Sequence, residues 1–213
     1  TTEIYSLSQI SYQKALIWQR ERKLLCAKGL CCNTMLLLEH PPVYTAGRAT
    51  QPEDISKNLL NKTIEVERGG QITFHGPGQL VGYLIFDLRL RGRDVHQFVR
   101  DIETILMRTL AEFGVVGLRK DDLTGIWVEG KKIASIGIHL SKWVTSHGFS
   151  LNIDMDLSPF RIVNPCGQDG RLVTSLRSIL NRDVTRKEVE KILLDQAEET
   201  FGERFLFGEE LIL

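Results

Sequence analysis

The chain has 213 residues, 42% of them hydrophobic, with 27 Lys and Arg against 27 Asp and Glu. That length suits one catalytic domain over 1–213 with a core of its own. A net charge of zero gives no basic field of the kind that drives nucleic-acid binding. No apolar run reaches membrane-spanning length and no basic-then-apolar leader opens the chain, so the composition reads as soluble, intracellular and free of nucleic acid or membrane partners. The first residue is Thr1 rather than Met, which is compatible with upstream processing.

Taken in order, Leu7, Ile10, Leu16, Ile17, Leu24 and Leu25 recur at helical spacing and predict an amphipathic helix over residues 8–28, ended by Gly29. Thr34 to Leu38 reads as a buried strand stopped by Pro41-Pro42, and strands are expected over 63–67 and 83–88. Between those two lies Arg68-Gly69-Gly70-Gln71-Ile72-Thr73-Phe74-His75-Gly76-Pro77-Gly78-Gln79. Four glycines allow close backbone approach and Pro77 stiffens the run, so the amides of Gly76, Gly78 and Gln79 become candidates to face a ligand. Taken by itself the run is equally a tight turn.

Phe98, Ile102, Ile105, Leu106, Leu110 and Phe113 mark a strong helix closed by Gly114. Three β-rich segments follow, 125–128, 132–138 and 148–153, the first two joined by a Glu129-Gly130 turn. Thr185-Arg186-Lys187-Glu188 is a capping box opening a last helix to about residue 200. Helices set between runs of several strands favour an α+β or mixed α/β sheet over a doubly wound parallel one.

Chemistry centres on a few residues. Cys26, Cys31 and Cys32 show no Cys-x-x-Cys or zinc-like spacing, which argues for plain thiols and against a metal. Cys166 stands apart in Asn164-Pro165-Cys166-Gly167, between a residue that fixes φ and one that permits close approach. A nucleophilic cysteine needs a positive charge, a base or backbone donors to favour its thiolate. Lys131, Lys132, His75, His139 and His147 are the candidates, while His40 and His96 have nothing near them in sequence to suggest a role. Lys131 and Lys132 begin a strand, so one faces inward and one outward, and alternation does not say which. Neither a phosphate-binding Gly-x-x-x-x-Gly-Lys-Ser/Thr loop nor a Gly-x-Ser-x-Gly elbow is present, so nucleotide-driven chemistry has no positive support.

Four motifs then occur in order: Arg68-Gly69-Gly70 through His75-Gly76-Pro77-Gly78-Gln79-Leu80, Lys132-Ile133-Ala134-Ser135-Ile136-Gly137, His147-Gly148-Phe149-Ser150-Leu151-Asn152, and Asn164-Pro165-Cys166-Gly167 leading to Val173-Thr174-Ser175-Leu176. Together they resemble the lipoyl(octanoyl) transferase family over nearly the whole chain. The resemblance implies a biotin/lipoate protein ligase-like catalytic domain, related to the class II aminoacyl-tRNA synthetase and biotin synthetase fold. It implies Cys166 as acyl acceptor and Lys132 as its charge partner, with no cofactor. It places Arg68, Gly69, Gly70, Gln71, Ile72, Thr73, Phe74, His75, Ser135, Ile136, Gly137, Gly148, Phe149 and Ser150 around the acyl substrate. The implied donor is octanoyl-acyl carrier protein. The implied acceptors are the lipoyl domains of 2-oxoacid dehydrogenase E2 subunits and the glycine cleavage H protein. Cytoplasm is the expected location, or the mitochondrial matrix in a eukaryote.

Ile72, Phe74, Ile136, Phe149 and Leu151 are the expected walls for the octanoyl tail, and amides near Gly76 to Gln79 or at Cys166-Gly167 the expected oxyanion donors. Arg89, Arg91, Arg93, Arg100 and Lys142 could form a local basic patch for acidic partner proteins. The competing readings are an ATP-dependent ligase on the same fold, a cysteine thioester hydrolase, and a non-catalytic module that binds an acylated carrier protein.

Overall fold

Apolar segments of the chain pair into an eight-stranded mixed sheet with helices on both faces and a three-stranded sheet beside it, as seen in a computed structural model that describes residues 1–51, 54–55, 59, 62–121, 123–163 and 170–208. In chain order the elements are β1 (Thr2–Gln9), α1 (Tyr12–Ala27), β2 (Asn33–Glu39), β3 (Val43–Ala46), β4 (Thr63–Glu65), β5 (Ile72–His75), β6 (Gln79–Ile85), α2 (Val95–Ala111), β7 (Leu118–Lys120), β8 (Leu123–Val128), β9 (Lys131–Ser141), β10 (Val144–Asn152), α3 (Leu176–Leu180), α4 (Arg186–Phe201) and β11 (Phe205–Phe207). The large sheet runs β11-β1-β2-β6-β10-β9-β8-β7 and the small one β4-β3-β5.

Side-chain alternation divides the core. Leu80, Leu84, Phe149 and Leu151 face α2 and α4, whose Phe98, Ile102, Leu106, Val189 and Leu193 bury against them. On the opposite face Leu36, Leu38, Val81 and Tyr83 receive Tyr12, Ala15 and Leu16 of α1. The capping box opens α4 as expected, with the Thr185 side chain accepting from Glu188 N–H and Glu188 reaching back to Thr185. Glu129 and Gly130 both take positive φ, 49° and 81°, which forms the tight β8–β9 turn.

The N-terminus departs from expectation. Residues 2–9 form β1, paired in parallel with β2 and β11, and the helix begins at Tyr12 with Ser11 as its cap. Leu7 and Ile10 thus belong to a strand and its exit, not to a helical stripe. Within the glycine-rich run, Ile72–His75 is a strand, paired antiparallel with β3. Among the described residues no helix is long and apolar enough to cross a membrane.

Candidate active site

The glycine-rich run is laid onto the sheet by its backbone. Strand β9 continues past the start of β8, whose Gly125 pairs with Ser135. Beyond that point Gly69 N–H donates to the Ile138 carbonyl at 3.1 Å. Gly137 makes the approach possible, because a Cβ there would stand 2.9 Å from the Gly69 oxygen. Arg68 then locks the loop: its guanidinium donates to the carbonyls of Gly69 (3.0 Å), Gln71 (2.8 Å) and Thr45 (2.9 Å) and to Thr45 Oγ1 (2.8 Å). Arg68 lies against the site, yet its donors fasten loop backbone. Removing this fork strands several buried carbonyls, so Arg68→Ala should cost about 3 kcal/mol or more of stability. Chemical denaturation checks it, with Arg68→Lys expected to recover little because one ammonium does not reproduce the fork.

Two spaces with shared lining residues result. A deep chamber is lined by Arg68, Gly70 to Thr73, His75, Ser135 to Gly137 and Gly148 to Ser150, together with Tyr12, Val81, Tyr83 and His147. An outer groove carries Lys132 and Gly69 and is flanked by α2 residues Val95, His96, Val99 and Arg100. Gly70, Gln71, Ile136 and Gly137 line both. Three separate stretches of the sequence therefore line one cavity. Phe74 is the exception. Between Thr73 and His75 on β5 it points the other way, onto Tyr44, Met155 and Phe160. Leu151 likewise belongs to the α2/α4 core rather than to the chamber wall.

The deep wall is polar, buried and directionally ordered. Gln79 Nε2 donates to Asn152 Oδ1 (2.9 Å) and to the Phe74 carbonyl (3.3 Å), so Gln79 Oε1 accepts from His75 Nδ1 at 2.7 Å. That sequence fixes the proton on His75 Nδ1. Asn152 Nδ2 in turn donates to the Thr174 carbonyl at 2.9 Å. His40 Nδ1 donates to the Ile10 carbonyl (2.6 Å), and its Nε2 accepts from the Tyr83 hydroxyl (2.7 Å). The histidine for which the local sequence suggested no role thus holds Tyr83, which lines the chamber. Tyr12, stacked 5.9 Å from His75, and Tyr83 were also not foreseen, since nothing local distinguishes a pocket tyrosine from a core one.

Burial holds these imidazoles neutral. His40 is pushed down to about 4, and His75 to about 3, with His40 adding to the effect; His147 falls to about 3 through burial and the nearby Arg68 charge. In the unfolded chain each titrates near 6.5. Between that value and about 3 to 4 the native state binds fewer protons than the unfolded one. The stabilisation is therefore complete above about pH 6.5 and is lost as pH falls, with a slope up to about 1.4 kcal/mol per pH unit for each group. Melting temperature should drop steadily from pH 6.5 to 4.5, and His75→Gln should flatten the slope; a flat wild-type profile would contradict the assignment.

Lys132 resolves what alternation left open. Its side chain is 5% exposed while Lys131 is exposed, and its Nζ lies 5.0 Å from the Trp127 ring centroid. Gly125, at φ 141°, makes the slot: a Cβ there would fall 2.7 Å from Lys132 Cε and 2.6 Å from the Ala134 oxygen. The Lys132 carbonyl accepts from Thr174 N–H at 2.9 Å, and Val173 bridges to Lys132 in parallel, so the strand that carries the lysine is tied to the segment following the Pro-Cys-Gly motif. Cys166 and its neighbours 164–169 lie outside the described residues. Of the other suggested partners for that cysteine, His139 sits beside Lys23 Nζ at 3.4 Å, away from both spaces.

The His75-Gly76-Pro77-Gly78-Gln79 turn corrects an expectation. Gly78 N–H donates to Glu39 Oε2 (2.9 Å) and Gln79 N–H to the Gly76 carbonyl (3.2 Å), so neither amide is free to bind an oxyanion. Gly78 serves packing instead, since at φ 81° a Cβ would collide with the Asp154 carbonyl oxygen at 2.2 Å. Among the described residues no cluster of His, Cys, Asp and Glu could hold a metal. Cys26 is buried and its thiol is pushed up to about 12, chiefly by burial, which makes it a poor nucleophile.

Residues 11–198 match the lipoyl protein ligase A/B catalytic domain. An octanoyltransferase of Geobacter metallireducens is 44% identical over 206 residues, 97% of this chain and 96% of that protein. A bipartite lipoate protein ligase from Thermoplasma acidophilum, described with its E2 lipoyl domain, superposes with a TM-score of 0.75 at 15% identity, covering 100% of this chain and 87% of that one. Apo biotin protein ligase from Aquifex aeolicus gives a TM-score of 0.56 at 16% identity, over 95% and 69% of the two chains. The last two share this chain's fold.

Proposed function

This chain belongs to the lipoyl protein ligase A/B catalytic domain family and is an octanoyltransferase of protein lipoylation, and on that premise we propose that it takes octanoate from the thioester of an acyl carrier protein onto Cys166 and passes it to the lysine of a lipoyl domain. The observation that carries this reading is the buried Lys132, which lines a groove sharing Gly70, Gln71, Ile136 and Gly137 with the deep chamber. A tail can lie in the chamber while its carbonyl meets the groups at the rim.

In the first half-reaction the Cys166 thiolate attacks the donor carbonyl, the tetrahedral intermediate collapses, and the pantetheine thiol leaves with a proton. A lysine ammonium beside the thiol favours the thiolate by opposite-charge attraction and is placed to supply that proton. Lys132, now neutral, takes the proton of the incoming lipoyl-domain amine as it attacks the enzyme thioester, and Cys166 is released as its thiolate. Exchange of one thioester for another is close to neutral and aminolysis is downhill, so no nucleotide is required. The tail is stabilised at roughly 0.8 kcal/mol for each buried methylene, with Ile72, Val81, Ile136 and Phe149 supplying apolar wall.

The acceptors in this reading are the lipoyl domains of 2-oxoacid dehydrogenase E2 subunits and the glycine cleavage H protein, acting in the cytoplasm. The basic residues suggested for docking are largely engaged within the chain: Arg89 pairs with Asp87, Arg91 with Glu203 and Arg100 with Glu103. Arg100 nevertheless lines the outer groove and is the best placed of them to meet an acidic partner. The test is incubation with octanoyl-acyl carrier protein and a lipoyl domain in the absence of ATP, followed by intact mass. Octanoylated lipoyl domain is the expected product. Modification that appears only with ATP, or release of free octanoate in its place, would sink the proposal.

A further inference from the structure

We infer that His147, held in place by Gln19 behind it, forms a polar stop on the wall of the acyl chamber and so limits the length of acyl chain the enzyme accepts, an inference that rests on the acyl-transfer reading above. Both side chains are almost fully enclosed, Gln19 at 1% exposure and His147 at 2%. Gln19 lies on the stripe of α1 that also buries Tyr12, Ala15 and Leu16, a position where an apolar side chain would be the ordinary choice. His147 sits within β10 at φ 59°, a left-handed conformation that costs a non-glycine residue and is tolerated where the surroundings impose it.

The two are coupled. The left-handed turn swings His147 N–H out of the sheet to donate to Gln19 Oε1 at 2.8 Å, while Thr145 Oγ1 donates to the Leu84 carbonyl at 2.6 Å in its stead. This re-aims the His147 imidazole into the chamber, beside Tyr83 at 6.3 Å between ring centroids. The neighbouring polar heads on that wall are satisfied, Tyr83 on His40 and His75 on Gln79. Gln19 Nε2 and His147 Nδ1 are buried with no hydrogen-bond partner among the described residues. A hydroxyl or a water can bond to both. A methyl group pressed against His147 leaves its imidazole unsatisfied, which is the arrangement that a binding site discriminates against most strongly.

The distance fits an eight-carbon chain. His147 pairs with Ile138, six residues beyond Lys132 on β9, or roughly 20 Å along the strand at about 3.3 Å per residue. An extended octanoyl group measures roughly 9 Å, given bonds of about 1.5 Å. The remainder is taken up by the lysine side chain, the thioester and the contact distance at the methyl end. Further methylenes would bring the methyl end toward His147.

The test compares octanoyl- and decanoyl-acyl carrier protein as donors for wild type, His147→Gly and Gln19→Leu, reading the decanoyl-to-octanoyl ratio of kcat/KM. Glycine adopts the left-handed backbone without cost, so His147→Gly keeps the bulge and removes the stop; Gln19→Leu keeps the volume and removes the amide. Calorimetric affinities of free decanoate and octanoate provide the same ratio without catalysis, so it remains readable even if the acyl-transfer reading itself fails. The ratio is expected to rise about tenfold in both variants. A ratio within threefold of wild type in His147→Gly, by both measurements, would overturn the inference. Should Gln19→Leu not fold, His147→Gly decides alone.

Discussion

Replacing Lys132 with alanine should lower octanoyl transfer by roughly 10²- to 10⁴-fold, the range expected when a positioned proton-transfer group is lost. The same change should move the alkylation midpoint of Cys166 up toward the value of about 8.5 for an unassisted thiol. Two roles are separable here. Lys132→Arg preserves a positive charge but has no proton to give up at neutral pH, so acyl-enzyme formation should survive better than transfer to the lipoyl domain. The buried slot framed by Gly125 and Trp127 makes that substitution tight, and a melting curve controls for misfolding. Lys131→Ala, at the exposed neighbouring position, should be nearly silent. An unchanged alkylation profile in Lys132→Ala would remove the charge-partner role, and loss of activity in Lys131→Ala instead would reverse the assignment.

Cys166→Ser should abolish the covalent octanoyl adduct seen by intact mass and reduce turnover by roughly 10³- to 10⁶-fold, as removal of an enzyme's nucleophile does. The physical reason is acidity: an ammonium can tip a thiol into its thiolate, whereas a serine hydroxyl remains protonated beside the same charge. Cys26, Cys31 and Cys32 should not take over. All three thiols are pushed upward chiefly by burial, Cys26 to about 12. An adduct that persists in Cys166→Ser, mapped to any of these three, would overturn the assignment of the nucleophile.

How much of this was legible beforehand depended on the range of the interactions involved. The α2 stripe, the α4 capping box and the Glu129–Gly130 turn were read correctly because each is fixed within a few residues of itself. β1 carries the apolar spacing of a helix start, yet its stability comes from pairing with β2 and with β11, 203 residues away, and no local period records that. β5 was hidden in a glycine-rich run for the same reason, since its partner is β3. The motifs expected around the substrate line one cavity, yet Phe74 turns away because a strand, not a loop, carries it. Gln19 did leave a signal, a polar residue on the buried stripe of a helix, though its meaning depended on what lay opposite.

The chemistry on offer was thus written in the residues alone: a cysteine between Pro165 and Gly167, two adjacent lysines opening a strand, a glycine-rich run and no nucleotide loop. These are matters of residue type and short spacing, which the chain carries in any conformation. Which lysine turns inward, that Arg68 fastens the loop, that the Gly78 and Gln79 amides are already occupied, and that Tyr83 and His147 line the chamber with His40 and Gln19 bonded behind them, are settled by the folded chain alone. Those facts depend on which groups satisfy one another once water is excluded. Buried donors and acceptors are costly when unpaired, so partners distant in sequence are selected by the fold as a whole.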